Sequence, residues 1–463
     1  MPCRVTLSQL VEILQATPLN LSSVDLAQQA TGIGTDTRSL QPGEVFVALR
    51  GEKFDGHGFV GAALDRGAIA AIVDQAYEET LPRENTGALP LLQVPDTLQA
   101  YQAIARWWRD QCAIPVVAVT GSVGKTTTKE LISAVLSTQG RVLKTQANYN
   151  NEIGVPKTLL ELEPEHDYAV IEMGMRGRGE IALLTQIARP DIAVITNVGT
   201  AHIGRLGSEE AIAQAKCELL AEMPPTGIAV LNHDSPLLLP TAATVWSEKT
   251  ISYGLAGGDF RGQLLDANTL TVEGIQFPLP LPGQHNALNY LAALAVAKCL
   301  HINWEPLQAG LAVDLPSGRA KRHELPNDVV ILDETYNAGL ESMIAALQLL
   351  AQTPGQRRIA VLGTMKELGE RSPEFHQQVG AMAAQLRLDH LLVLADPAES
   401  AAMVAGAVGV VTEEFDGHEA VVERLRQLVQ PGDRLLFKAS RTVALDRVVD
   451  GFCQGSRMGT LSQ

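Results

Sequence analysis

The sequence predicts an α/β protein of three domains with a parallel sheet at its centre. Three observations carry this prediction. From Pro115 onward, short β-branched runs alternate with helix-patterned segments, the signature of a parallel sheet covered by helices on both faces. The alternation pauses at Leu315-Pro316-Ser317-Gly318-Arg319 and then restarts, as a further α/β unit would. A chain of 463 residues also exceeds what one core organises, so roughly two to three domains are expected. Boundaries near Pro95 and Leu315 divide it into 1–95, 96–315 and 316–463.

The first domain opens on a helix, because Leu7, Leu10, Val11 and Leu14 recur at helical spacing and Thr6 with Gln9 forms a capping box. Further on, Pro42-Gly43 marks a turn, 45–49 and 68–73 read as strands, and 59–66 reads as a helix. The polar loops 35–39 and 51–57 either meet at one edge or are solvated turns, and pattern alone leaves both open. A weakly structured stretch, 78–90, leads to a helix over 97–112. The central domain should place strands at 116–119, 168–173, 191–197 and 227–232, then an antiparallel flap over 252–282, where Gly and Pro interrupt short alternating stretches. An apolar helix over 286–300 closes it. The third domain should carry strands at 329–333, 358–362, 391–394 and 435–438, with helices that include 342–350 and 421–429.

Composition removes several classes of function. The 36 Lys plus Arg against 52 Asp plus Glu leave a net charge of −16, which disfavours a general nucleic-acid or anionic-membrane binder. An anionic small molecule needs only a few local cations and stays admissible. Aromatic residues make up only 4%, so the cores must be built from Ala, Leu, Val and Ile. Cys3, Cys112, Cys217, Cys299 and Cys453 are scattered, odd in number and without C-x-x-C spacing, as expected of reduced thiols in a cytosolic protein. No secretory leader is evident and no apolar run approaches the roughly 20 residues that span a bilayer. A cytoplasmic protein with no stable membrane insertion is expected.

The chemistry centres on PVVAVTGSVGKTTTKE, 115–130. A buried strand, Val116–Val119, breaks at Thr120-Gly121-Ser122-Val123-Gly124, and Lys125-Thr126-Thr127-Thr128 opens a helix. Strand, Gly-rich loop and helix in that order cradle a triphosphate: backbone N–H groups of Gly121, Ser122, Val123 and Gly124 face the phosphates, with Lys125, Thr126 and Thr127 beside them. Lys125 can reach the β and γ oxygens, and the Thr126 hydroxyl can ligate Mg²⁺. ATP with Mg²⁺ is the implied ligand; a Gly-rich turn that binds nothing is the alternative. The pattern G-x-x-x-x-G-K-[ST] is not met literally, because Val119 stands where its first Gly belongs.

Mg²⁺ takes oxygen ligands. Glu172 ends the apolar YAVIE strand, where the carboxyl ends of parallel strands converge on a ligand. A carboxylate there is costly without a cation, so a metal-ligand role is favoured over a plain strand-end charge. His202, in NVGTAHIGRLGS, is either a ligand or a hydrogen-bonded loop residue. Lys216, in QAKCELLAE, reads from pattern alone as an exposed lysine facing Glu218 and Glu222.

Further blocks match a known family. TDTRSLQPGEVFVALRGEKFDGH, the short loop TGSVGKT, ANYNNEIGVPKTLLEL, YAVIEMGMRGRGEI, NVGTAHIGRLGS with AKCELL, PGQHNALNYLAALA, DETYNAGLESM, LGTMKELGE and the KASR segment span 35–441, and together they resemble the Mur ligase family. The shortened phosphate loop is the form that family uses. NNEIGVP and MKELGE point to its branch that adds D-alanyl-D-alanine, and the D-N-P-R motif of the diaminopimelate-adding branch is absent.

The resemblance implies a UDP-sugar-binding first domain, a central P-loop ATPase and a C-terminal Rossmann-like α/β domain that closes on ATP. It implies small-molecule substrates, UDP-N-acetylmuramoyl-tripeptide and D-alanyl-D-alanine, joined through an acyl phosphate by a monomer that needs no nucleic acid. Thr35, Thr37, Lys53 and Phe54 would surround the uridine diphosphate. Asn286 and Asn289 would lie on the adenine side, and Asp333 at the ribose. Arg319 would supply a cation from across the domain boundary. The same resemblance makes Lys216 a carbamylated lysine holding a second Mg²⁺ with His202, against the exposed-lysine reading. Gly339, Thr364 and Ala439 depart from the family's usual Asn, Asp and Gly. They leave open a related ligase with a different amine; a non-catalytic nucleotide-binding homologue is the reading from another class.

Overall fold

Around the Val116–Thr120 strand the chain builds a nine-stranded sheet, and a computed structural model describes it together with the rest of residues 3–51, 54–77 and 89–458. The strand order is Ile275–Pro278, Thr269–Val272, Phe260–Asp266, Thr250–Gly254, Ile228–Asn232, Ile192–Ile195, Val116–Thr120, Tyr168–Glu172, Val142–Lys144. From Val142–Lys144 through Phe260–Asp266 neighbours run parallel, and the two outer strands add an antiparallel meander. That meander is the flap expected over 252–282, except that its first part, Thr250–Gly254, belongs to the parallel sheet.

The register decides where chemistry can collect. Val119 pairs with Glu172 on one side and Val194 on the other, so the ends of three strands converge on the loop after Thr120. The strands are buried on both faces, as their continuous Val, Ile and Ala runs require. Beneath them the helix Lys125–Leu136 packs on Gln284–Cys299, whose long run of buried Ala, Leu and Val lets the two backbones approach.

Two smaller sheets flank this one. The first has the order Thr17–Leu19, Leu91–Val94, Ala70–Asp74, Val45–Val47, Ile33–Gly34, parallel apart from its first pair. The Thr6–Gln9 capping box forms at the helix Leu7–Leu14. The other flanking sheet has the order Lys321–Leu325, Val329–Glu334, Arg434–Lys438, Arg358–Gly363, His390–Leu394, Val411–Glu414, with only Lys321–Leu325 antiparallel. Lys321–Leu325, Val411–Glu414 and Val142–Lys144 are strands that apolar patterning missed. All three lie at sheet edges, where one side meets solvent and polar residues are tolerated. Most of the stretch expected to be weakly structured, 78–88, lies outside the described residues, as does Lys53. Among the described residues no helix is long and apolar enough to cross a membrane.

Candidate active site

Backbone geometry fixes the phosphate loop. Gly121 has φ +149°, and a Cβ there would lie 1.9 Å from Thr196 Oγ1; Gly124, at φ +82°, caps the helix Lys125–Leu136. Both positions need glycine. The loop is stitched to the next strand end: Val123 N donates to Asn197 Oδ1 (3.0 Å), Thr196 Oγ1 to the Val123 carbonyl (2.6 Å), and Gly199 N to Ser122 Oγ (2.9 Å). Lys125 Nζ folds back onto the Gly121 carbonyl at 2.8 Å. Burial lowers its pKa, and nearby Arg319 acts in the same sense against the opposing charge of Glu172.

Asn289 and Asn286 stand behind the loop. Thr128 Oγ1 donates to Asn289 Oδ1 (3.2 Å), Asn289 Nδ2 to Asn286 Oδ1 (3.3 Å), and Asn286 Nδ2 to the Pro282 carbonyl (2.8 Å).

Glu172 is 2% exposed. Its backbone N–H donates to Thr145 Oγ1 (2.9 Å), and its Oε1 accepts from Asn150 Nδ2 (2.8 Å). Oε2 is buried and has no hydrogen-bond partner among the described residues. An orphaned carboxylate oxygen beside a phosphate loop and the buried Thr126 hydroxyl is a hard-oxygen donor set that fits Mg²⁺. Asn150 escaped the sequence reading as an orienting group; its place in the ANYNNEIGVP block was the available signal.

Lys216 corrects the exposed-lysine reading. It is 1% exposed on the helix Glu209–Ala221. Glu218 turns instead to the N–H groups of Gly179 and Ala182, and Glu222 to Gln186. Burial pushes the Lys216 pKa well below its ordinary value and Lys125 adds to this, while Cys217 and Glu341 oppose it. Helical spacing alone could not reveal that Lys216 faces inward, because the helix is apolar on most sides.

His202, in left-handed conformation at φ +69°, faces the C-terminal domain, with Nδ1 2.5 Å from Glu367 Oε2. The close approach holds the Glu367 carboxyl below its usual range. Among the described residues no group of three or more His, Cys, Asp or Glu side chains is placed to hold a metal. Any second metal must therefore draw on other donors.

A cleft of about 920 Å³ runs between the phosphate loop and the C-terminal domain. Ser122–Thr127, Glu172, His202, Asn286 and Asn289 line its central wall; Arg319, Glu334, Tyr336 and Lys438 line the other. Arg319 stacks over Tyr336 at 4.0 Å, and its buried Nε has no hydrogen-bond partner among the described residues. Lys438 Nζ donates to the Asn337 carbonyl at 3.0 Å, and burial lowers its pKa despite Glu334. Asp333 does not line the cleft: it accepts from Thr335 Oγ1 (2.7 Å) and lies 3.4 Å from His323, leaving Glu334 to face inward.

Of the first-domain residues, Thr35, Thr37 and Phe54 do not line this cleft. Thr35 and Thr37 are half-buried and flank Asp36, whose pKa falls to about 2 chiefly through its hydrogen bonds to Arg38. Phe54 is 64% exposed, a large apolar ring largely open to solvent.

The arrangement defines a class: a multidomain P-loop protein whose phosphate loop faces a separate α/β domain across a cationic cleft. Residues 29–109 match the Mur ligase family catalytic domain, 119–297 the Mur ligase middle domain, and 318–441 the Mur ligase glutamate ligase domain. A Synechocystis protein named UDP-N-acetylmuramoyl-tripeptide–D-alanyl-D-alanine ligase is 56% identical over 450 residues, covering 97% of this chain and 98% of the relative. A crystal structure of MurF from Acinetobacter baumannii superposes with TM-score 0.88 at 32% identity, covering 98% and 99% of the two chains. MurF from Thermotoga maritima in complex with ADP superposes with TM-score 0.81 at 31% identity, covering 92% and 98%. The chain belongs to the Mur ligase family.

Proposed function

We infer that this chain is an ATP-dependent ligase that adds D-alanyl-D-alanine to UDP-N-acetylmuramoyl-tripeptide, releasing ADP and phosphate, in peptidoglycan precursor synthesis. The observation that carries this reading is 56% identity along nearly the whole length of a relative bearing that name. The cleft chemistry agrees with it. A carboxylate is a poor electrophile until one of its oxygens becomes part of a good leaving group. Transfer of the γ-phosphoryl group from ATP to the tripeptide carboxylate gives an acyl phosphate. The dipeptide amine then attacks the carbonyl carbon, the C–O bond to phosphate breaks, and the nitrogen loses a proton.

Both steps bring anions together, so the cations of the cleft carry the work. Lys125 and Arg319 meet the charge that builds on the transferring phosphoryl group. Thr126 and Glu172 would hold Mg²⁺, which supplies Lewis-acid screening of the phosphate oxygens. Lys216, whose burial disfavours the ammonium form, suits carbamylation. Its amine nitrogen bonds the carbon of CO₂ and gives up one proton, leaving an anion that with His202 could hold a second Mg²⁺. Asn286 and Asn289 serve the adenine side, while Thr35, Thr37, Lys53 and Phe54 take the uridine diphosphate; Asp333, turned to Thr335 and His323 and away from the cleft, is not placed to reach the ribose. The reaction's nucleotide substrates suit a cytoplasmic monomer.

A ligase of the same kind with another amine is the second reading, favoured by Gly339, Thr364 and Ala439 in the third domain. Phosphate release from ATP and Mg²⁺ should require both UDP-muramoyl-tripeptide and D-alanyl-D-alanine. Release with single D-amino acids or diamino acids in place of the dipeptide would replace the first reading by the second.

A further inference from the structure

Among the described residues, the hydrogen bonds and ion pairs between the two walls of the cleft gather along one seam. Glu341, in the first turn of the helix Leu340–Gln352, reaches out of the C-terminal domain into the central one. Its Oε1 accepts the Thr200 backbone N–H at 2.7 Å, and Oε2 lies 3.4 Å from the Thr200 hydroxyl. A Cβ on Gly199 would stand 2.6 Å from the Glu341 carboxyl carbon. Gly199 in turn donates to Ser122 Oγ of the phosphate loop. Only one peptide unit therefore separates the Glu341 contact from the phosphate cradle.

A second contact lies one helical turn along the same loop. Gly204 N donates to the Glu367 carbonyl at 3.2 Å, and a Cβ on Gly204 would lie 2.5 Å from Gly369 N, which is backbone and cannot swing aside. The Glu367 carboxylate meets His202 and, at 3.6 Å, Arg205. A hydrogen bond to an ionised acceptor is stronger than a neutral one, and of the two carboxylates in this seam Glu341 is the one whose contact leads directly to the phosphate loop, through Thr200 and Gly199. Its charge also favours the ammonium form of Lys216.

We propose that Glu341 is a positioning residue for the ligase reaction: it grips the 199–207 loop so that Arg319 and Lys438 stand opposite Lys125 when both substrates are bound. This rests on the ligase reading above. Glu341 touches no reacting atom in the scheme; it acts through Thr200 and Gly199.

The test uses the full chain with E341A, E341Q and G204A. Three quantities are measured: steady-state phosphate release, the radius of gyration with Mg²⁺–ATP by X-ray scattering, and the melting temperature. E341A loses both contacts and should lower kcat roughly ten- to a hundredfold, with a larger radius of gyration and a melting temperature close to that of the unaltered chain. E341Q keeps an amide oxygen for the Thr200 N–H and should restore the compact form and most of the turnover. G204A, which wedges the seam without altering charge, should reproduce the expansion. An E341A protein as compact as the unaltered chain, or E341Q as impaired as E341A, would overturn the proposal. Expansion of E341A in a chain that shows no substrate-dependent turnover would support the grip and sink the ligase reading instead.

Discussion

On the central wall of the cleft, Lys125 reaches back four residues to the Gly121 carbonyl; on the opposite wall, Lys438 reaches across 101 residues to the Asn337 carbonyl. Both lysines, Lys125 half-buried and Lys438 buried, line one cavity, and desolvation lowers the pKa of both. Their supports differ. The phosphate loop is one contiguous motif on one strand, rigid because glycine geometry and a neighbouring loop hold it. The C-terminal wall is assembled from separate strands and loops, and among the described residues its hydrogen bonds and ion pairs to the first wall gather at the 199–207 loop. The difference separates two duties. The contiguous wall can hold phosphates by itself, whereas the assembled wall acts only when the domains are correctly set.

The largest expected effect tests that separation directly. K125M should reduce phosphate release about a thousandfold or more, the scale of losing a group that stabilises transition-state charge. K438M should cost only about tenfold, through a loosened Tyr336–Gly339 loop, as expected for one hydrogen bond to a charged donor. Equal losses in steady-state turnover would break the comparison.

Next comes the metal. N150A frees the Glu172 carboxylate from its one orienting donor, and Mg²⁺ affinity should weaken about ten- to a hundredfold. Titration with Mn²⁺ monitored by electron paramagnetic resonance reads this without turnover. Unchanged affinity would remove Asn150 from the site.

A smaller effect is a pH slope in stability. The folded chain holds Lys438 with a pKa below the ordinary 10.5. Across the window between that lowered value and 10.5, the unfolded chain binds more protons at this group, so its contribution favours the folded state increasingly as pH rises. Denaturant titrations of K438M should therefore show a shallower rise in stability towards alkaline pH than the unaltered chain. A steeper rise would contradict the assignment.

The smallest effect concerns the thiols. Burial pushes the Cys3 and Cys217 thiols up to about 12, so both should resist alkylation at neutral pH while the half-buried Cys112 and Cys299 react first. Mass mapping after brief iodoacetamide treatment reads the order.

Much of this molecule was legible from residues alone. The strands around Val116, Tyr168, Ile192 and Ile228 announced themselves because both their faces are buried, so apolar runs are unbroken. The phosphate loop was legible because its parts adjoin in sequence. Lys216 was not: its partners Lys125 and Glu341 lie 91 and 125 positions away in the chain, and its own helix carries no one-sided pattern. Asn150 and Glu341 were invisible for the same reason, being polar residues in loops or first turns, where an exposed role is the ordinary one.

By itself, then, the sequence determined the α/β alternation, the division into successive sheets and the phosphate cradle, since each rests on local periodicity or on neighbouring residues. Tertiary structure alone decided which carboxylate oxygen lacks a partner at Glu172, that Lys216 is buried beside Lys125, and that Glu334 rather than Asp333 lines the cleft. These facts depend on strand register and on the meeting of two domains. Burial strips water from such groups, and the partners that replace it come from distant parts of the chain.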